Sequence, residues 1–219
     1  MMNSSLLIRK LGRCDYQLVF AAMQQFTAMR TDTTPDELWL VEHDPVFTQG
    51  HAGKAEHLLC PGGIPVVQTN RGGQITYHGP GQLVIYLLVD LRRLNKGIRD
   101  FVTAIERSVI QLLADYQIIA ESQATAPGVY AGGAKICSIG LKVSRGCTYH
   151  GLALNVRMDL SPFSRINPCG FKNLQMKQIS DFVPDASIDQ TANLLVNYLK
   201  ANLGYPAAVE LQVGLPSCQ

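Results

Sequence analysis
Residues 83–89, Leu83-Val84-Ile85-Tyr86-Leu87-Leu88-Val89, contain no charge, glycine or proline. A short run of this kind, rich in β-branched and bulky residues, reads as a buried strand. Directly before it lies Arg71-Gly72-Gly73-Gln74-Ile75-Thr76-Tyr77-His78-Gly79-Pro80-Gly81-Gln82, five of whose residues are Gly or Pro. The backbone there must turn tightly, and the segment is predicted to be a loop that exposes N–H groups with no side chain in front of them. Arginine, threonine, tyrosine, histidine and glutamine side chains are set into it. A polar loop anchored on a buried strand is a common construction for a small-molecule site: the strand supplies rigidity and the loop supplies chemistry.

The remaining elements follow from periodicity. Residues 6–11, 38–41 and 64–69 read as short strands. Residues 15–30 read as a helix with Tyr16, Val19, Phe20, Met23 and Phe26 on one face. A longer helix is expected from Ile98 to about Ile118, because Ile98, Phe101, Val102, Ile105, Val109, Leu112, Leu113 and Tyr116 keep a three-and-four spacing. Gly128-Val129-Tyr130 is a further short extended piece. Ala134–Val143 and Cys147–Val156 read as paired strands joined around Ser144-Arg145-Gly146, and a last helix is expected over 188–203. Helices and strands mix without β-α alternation, which predicts a single α+β or mixed α/β domain over residues 1–219.

Composition narrows the function. Of the 219 residues 47% are hydrophobic and 16% charged, with a net charge of +2 and no basic stripe, which argues against nucleic-acid binding. No apolar run approaches the roughly 18 residues of a membrane span. The first ten residues lack the apolar stretch of a signal peptide, so a cytoplasmic location is expected. The six cysteines, Cys14, Cys60, Cys137, Cys147, Cys169 and Cys218, are then expected as reduced thiols. No C-x-x-C pair or His/Cys cluster with zinc-like spacing is present, so no structural metal is expected.

Two cysteines and one lysine stand out. Cys169 lies between Pro168, which fixes the chain, and Gly170, which frees it, so it can be held rigidly at a pocket edge. Lys135 opens an apolar strand and can direct its ammonium into a cleft, where it could stabilise a thiolate or take a proton with its own pKa pulled down by desolvation. The plainer alternative for each is a packed turn cysteine and a solvated strand-end lysine. Cys137 shares a strand face with Lys135 and is a rival nucleophile on these grounds. Gly151 and Ala153, in His150-Gly151-Leu152-Ala153-Leu154-Asn155-Val156, would leave room for an acyl chain, or simply allow close strand packing. His78 reads as a hydrogen-bonding scaffold in preference to a base.

The Arg71–Gln82 segment closely resembles the signature of the lipoyl(octanoyl) transferases, the octanoyltransferases of lipoate biosynthesis. The resemblance extends through Gly128-Val129-Tyr130, Lys135-Ile136, Ser138-Ile139-Gly140, His150 to Val156 and Pro168-Cys169-Gly170, in that order. It departs at Leu87, where the family often has proline. The resemblance implies the fold of the biotin and lipoate protein ligase catalytic domains. It implies transfer of an octanoyl group from acyl carrier protein to a lysine of lipoyl domains, including those of 2-oxoacid dehydrogenases and the glycine cleavage H protein. It places the thioester-forming cysteine at Cys169, deciding between Cys169 and Cys137, and makes Lys135 the group that keeps that cysteine ionised. It also implies an acyl site lined by Arg71, Gly72, Gly73, Gln74, Ile75, Thr76, Tyr77 and His78, by Ser138, Ile139 and Gly140, and by Gly151, Leu152 and Ala153, with no nucleotide or metal. The nearest alternative is an ATP-dependent lipoate or biotin ligase of the same fold. A non-catalytic module that binds acyl carriers or lipoyl domains is a third.

Overall fold
The computed structural model describes residues 6–123, 126–211 and 214–215. Its strands are β1 (Leu6–Cys14), β2 (Asp36–His43), β3 (Val46–Gln49), β4 (Val66–Gln68), β5 (Ile75–His78), β6 (Gln82–Leu88), β7 (Ala120–Ser122), β8 (Gly128–Ala131), β9 (Ala134–Ser144), β10 (Cys147–Asn155) and β11 (Ala208–Leu211). The helices are α1 (Tyr16–Met29), α2 (Ile98–Asp115) and α3 (Ile188–Leu203). Eight strands form one sheet in the order β11-β1-β2-β6-β10-β9-β8-β7, and β4-β3-β5 form a second. In the large sheet β1 runs parallel to β11 and β2, and the remaining neighbours are antiparallel. The fold is mixed α/β, as expected.

The apolar run at 83–89 is buried because helices cover both faces of its strand. Side chains alternate along β6. Leu83, Ile85 and Leu87 meet α2 and α3, packing with Phe101, Ile105, Leu112, Leu195 and Leu199. Val84, Tyr86 and Leu88 meet α1 through Tyr16, Val19 and Met23. Fully burying one such side chain stabilises the fold by about 1.5–3 kcal/mol. Helix α1 begins where Asp15 Oδ1 accepts the N–H groups of Gln17 and Leu18, at 2.8 and 3.1 Å, satisfying two donors that no helical carbonyl can reach. Phe20 and Phe26 are only half-buried. Helix α2 ends at Asp115, short of the Ile118 expected, in a turn that reaches positive φ at Gln117.

One expectation changes. Residues 75–78 are not loop but the strand β5, paired antiparallel to β3 with Phe47 opposite Tyr77 and Thr48 opposite Thr76. The pairing buries Phe47, Ile75 and Tyr77 with Met158, Phe163 and Ile166 in a third small core. Only the flanking turns at 71–74 and 79–81 are irregular. Among the described residues no helix is long and apolar enough to cross a membrane. Cys14, Cys60, Cys137, Cys147 and Cys169 are free thiols, and Cys218 lies outside the described residues.

Candidate active site
Cys169 sits in a 3-10 turn, Pro168–Gly170, with φ 56° and ψ 15°. A non-glycine residue in this left-handed region carries strain of about 1–3 kcal/mol, which the surroundings must hold. They do so through Gly170 N to Asn167 O at 2.9 Å, Phe171 N to Pro168 O at 3.0 Å, and Asn167 N to His57 O at 2.8 Å. The Cys169 side chain is left at the surface of a cavity, half-buried.

Lys135 is the second member. It is 1% exposed, so it is not a solvated strand-end lysine. Its Nζ donates to Cys169 Sγ at 3.1 Å and to Pro127 O at 3.1 Å, and lies 5.2 Å from the centre of the Tyr130 ring. Burial pulls the Lys135 pKa down, but the charge of Cys169, the hydrogen bond to it and Tyr130 push harder, so the net shift is upward. That reverses the direction expected from desolvation alone. The backbone adds a clamp: Lys135 N donates to Gln175 O and Lys177 N to Lys135 O, both at 2.9 Å. The chain just past Cys169 is thereby tied to the strand carrying Lys135.

Cys137 does not share this environment. A bulge places Val129 opposite Cys137 but Tyr130 opposite Lys135, so Ile136 is an extra residue on β9. Cys137 is fully buried in the core under α2 and α3. Burial pushes its thiol up to about 12. A thiol so placed is inert.

The other expected site residues largely converge. Arg71 to Thr76, His78, Ser138 to Gly140, Gly151 to Ala153 and Cys169 surround one cavity on the α1 side of the sheet. Tyr77 is not among them. Strand alternation turns its ring away, against Phe47 and Phe163, both at 5.5 Å. Gly151 lines the cavity, but its size has another cause: a Cβ there would collide with the Ile85 carbonyl and lie 2.7 Å from Leu87 Cδ1.

Arg71 is buried and braces the site from below. Its Nη2 donates to Thr48 O at 2.5 Å and to Thr48 Oγ1 at 3.1 Å, and its Nη1 to Gly72 O at 2.9 Å. The Gly72 N–H reaches Leu141 O on β9 at 2.9 Å, joining the turn to the large sheet.

Beneath the cavity lie three neutral histidines. The Gln82 amide N donates to Tyr77 O and Asn155 Oδ1, so its oxygen faces His78 Nδ1 at 2.7 Å, which must then carry the proton. His43 bonds Cys14 O and Tyr86 OH, and His150 bonds Asn70 Oδ1 at 2.9 Å. Burial above all pushes their pKa values down, to about 4 for His43 and about 3 for His78 and His150.

Tyr16, Val84, Tyr86 and His150 also line the cavity, and sequence reasoning did not place them there. Tyr16 is more than 50 residues from every other lining position, and nothing local marks it.

A second groove reaches the same thiol from the other side. Ile98, Val102, Pro127, Lys135, Val143 and Phe171 line it, and it shares Gly72, Gly73, Gln74, Ile139, Gly140 and Cys169 with the cavity. Lys135 borders the groove and not the cavity. In this mixed-sheet fold a strained cysteine and a buried ammonium meet where two openings join.

Residues 15–200 match the family described as the lipoyl protein ligase A/B catalytic domain, and the chain belongs to that family and to its octanoyltransferases, which are acyltransferases. An octanoyltransferase of Vibrio cholerae serotype O1 is 57% identical over 204 residues, covering 93% of this chain and 94% of its own. One of Pectobacterium atrosepticum is 54% identical over 207 residues, 94% and 91% of the two chains. Among solved structures, a lipoate-protein ligase A bound with ATP superposes with a TM-score of 0.77 at 19% identity, covering 96% of this chain and 90% of that one. A biotin protein ligase from Aquifex aeolicus with biotin and ATP gives 0.57 at 10% identity, covering 91% and 70%. At such identities the two ligases share the fold.

Proposed function
We propose that this chain, as one catalytic domain over residues 1–219, acts in the cytoplasm to move an octanoyl group from octanoyl-acyl carrier protein to a lysine of a lipoyl domain. The acceptors are the lipoyl domains of 2-oxoacid dehydrogenases and the glycine cleavage H protein. The group passes through a thioester on Cys169. The 3.1 Å contact between Lys135 Nζ and Cys169 Sγ carries this reading. An ATP-dependent ligase has no need of a nucleophilic cysteine, and a carrier thioester arrives already activated, so no nucleotide enters the scheme.

The octanoyl chain takes the cavity under Ile139 and Ala153. The donor's thiol and later the acceptor's amine arrive through the groove, where Lys135 is. The Cys169 thiolate attacks the thioester carbonyl, the C–S bond to the carrier breaks, and the Lys135 ammonium protonates the departing thiolate. N–H groups of the glycine-rich segments serve as the oxyanion donors in this scheme. Exchange between thioesters is near balance, so this step depends on positioning. Acylation also removes the Cys169 charge that raised the Lys135 pKa, leaving burial, which is the largest influence and lowers it, opposed by Tyr130. The neutral amine of Lys135 is then ready to take the proton from the attacking lysine. The amide forms, and both the thiolate and the ammonium are restored.

Intact mass after incubation with octanoyl-acyl carrier protein tests the scheme. Cys169→Ser abolishes the octanoyl thioester and Cys137→Ser retains it. A thioester that survives Cys169→Ser sinks the assignment.

A further inference from the structure
Glu106 is a carboxylate on the buried side of α2, and its Oε1 accepts the Gly128 N–H at 2.9 Å. The carbonyl of the same peptide group, Pro127 O, accepts Lys135 Nζ at 3.1 Å. One peptide plane is therefore held at both ends, by a carboxylate on its N–H and an ammonium on its C=O. Gly128 has a φ of 139°, and a Cβ there would stand 2.6 Å from Lys135 Cε and 3.2 Å from Nζ. The peptide can face this way, with Lys135 running past it, only because position 128 is glycine.

We propose that Glu106 is a positioning residue for acyl transfer: through the Pro127–Gly128 peptide it fixes the direction from which Lys135 reaches Cys169. The inference rests on the Lys135–Cys169 reading above. A hydrogen bond from an amide to a carboxylate is charge-assisted and polarises the amide, which makes its carbonyl a better acceptor for the ammonium. Without the carboxylate the Gly128 N–H is a buried donor with no acceptor. The peptide then rotates, and Pro127 O leaves Lys135. Around the Lys135–Cys169 pair the charged or titratable groups are Glu106 on α2, Tyr130 on β8, Cys137 on β9, Arg71 before β5, and His57, whose Nε2 approaches Gly170.

The test is the pH profile of Cys169 alkylation by iodoacetamide, read by peptide mass in the full-length chain, with exposed Cys60 as internal reference. Glu106→Leu moves the Cys169 profile up by about one pH unit, a tenfold loss of rate at neutral pH. Glu106→Gln keeps an acceptor oxygen and stays within about twofold of wild type. Glu106→Asp keeps the charge but draws the acceptor back, and shifts in the same direction as Leu. If Glu106→Leu does not fold, the Asp and Gln variants decide. A wild-type profile in Glu106→Leu or Glu106→Asp overturns the inference, as does a shift in Glu106→Gln equal to that of either. In a Lys135→Met background Glu106→Leu adds no further shift, since the effect passes through Lys135; an additive shift overturns it. A wild-type profile for Lys135→Met by itself is a failure of the underlying pair. A shift there without one in the Glu106 variants is a failure of this inference alone.

Discussion
Replacing Lys135 by methionine removes the ammonium beside Cys169 and keeps a long flexible side chain in a site that is 1% exposed. A hydrogen bond to a charged group contributes about 1.5–3 kcal/mol. Its loss disfavours the thiolate, so iodoacetamide capture of Cys169 at neutral pH slows by about tenfold or more. The sign follows from charge: without the cation the thiolate is less favoured, so more alkaline solution is needed to form it. Stability should not fall, because the variant no longer buries a charge, whose desolvation offsets much of what the pair gains. The assay is the rate of iodoacetamide capture at Cys169 across pH 5 to 10, with thermal melting alongside. An unmoved profile in a folded Lys135→Met protein refutes the thiolate role. Lys135→Arg then separates two functions. Arginine keeps the charge but cannot give up a proton, so the carrier must leave as a free thiolate and the acyl-enzyme should form more slowly, while transfer to the acceptor lysine, which needs a base, should stall.

Ala153 is 5% exposed and lines the cavity with Val84 and Tyr86. Ala153→Leu overfills it at about 1–3 kcal/mol, so octanoyl labelling of Cys169 should fall about tenfold or more while shorter acyl donors still label; unchanged octanoyl labelling means the acyl chain does not run past Ala153. The histidines predict acid sensitivity. Their folded pKa values, about 4 for His43 and about 3 for His78 and His150, lie below the ordinary 6.5, so the unfolded chain binds more protons between these limits. Their contribution is therefore present above pH 6.5 and is lost as pH falls toward 3 to 4. The melting temperature should drop steeply from pH 6 to pH 4, and a flat profile there would show that the three rings are not buried as neutral groups.

Legibility in the sequence followed period and length. Helices α1, α2 and α3 and strands β6, β9 and β10 carry long apolar patterns, and their positions were readable to within a few residues. Strands β3 and β5 were not. Thr48 and His78 are buried polar groups that bond each other, and four residues with polar members show no alternation to detect. The positions around the cavity were readable as separate motifs, but their directions were not. Whether Tyr77 faced the cavity depended on which side of β5 met β3. Whether Lys135 and Cys137 shared a surroundings depended on a bulge at Ile136, and a bulge is decided by the neighbouring strand. Gly151 looked like space for a ligand and is space for the β6 backbone. The cluster of Tyr16, His43, Tyr86 and His150 draws on α1, β2, β6 and β10, and its members meet only because the sheet order brings those elements side by side.

The pair of backbone hydrogen bonds that Lys135 makes with Gln175 and Lys177 can be viewed as a hinge pin. The thiol and the ammonium belong to different segments of chain, yet the pin makes them move as one part. The pin ties the two backbones together, and the last step from Lys135 to the thiol is left to its side chain, which the Pro127 carbonyl guides. Adding a residue between Gly170 and Asn173 would leave the pin in place and change only the slack in the chain that bears Cys169. Adding one between Gln175 and Lys177 would pull the pin.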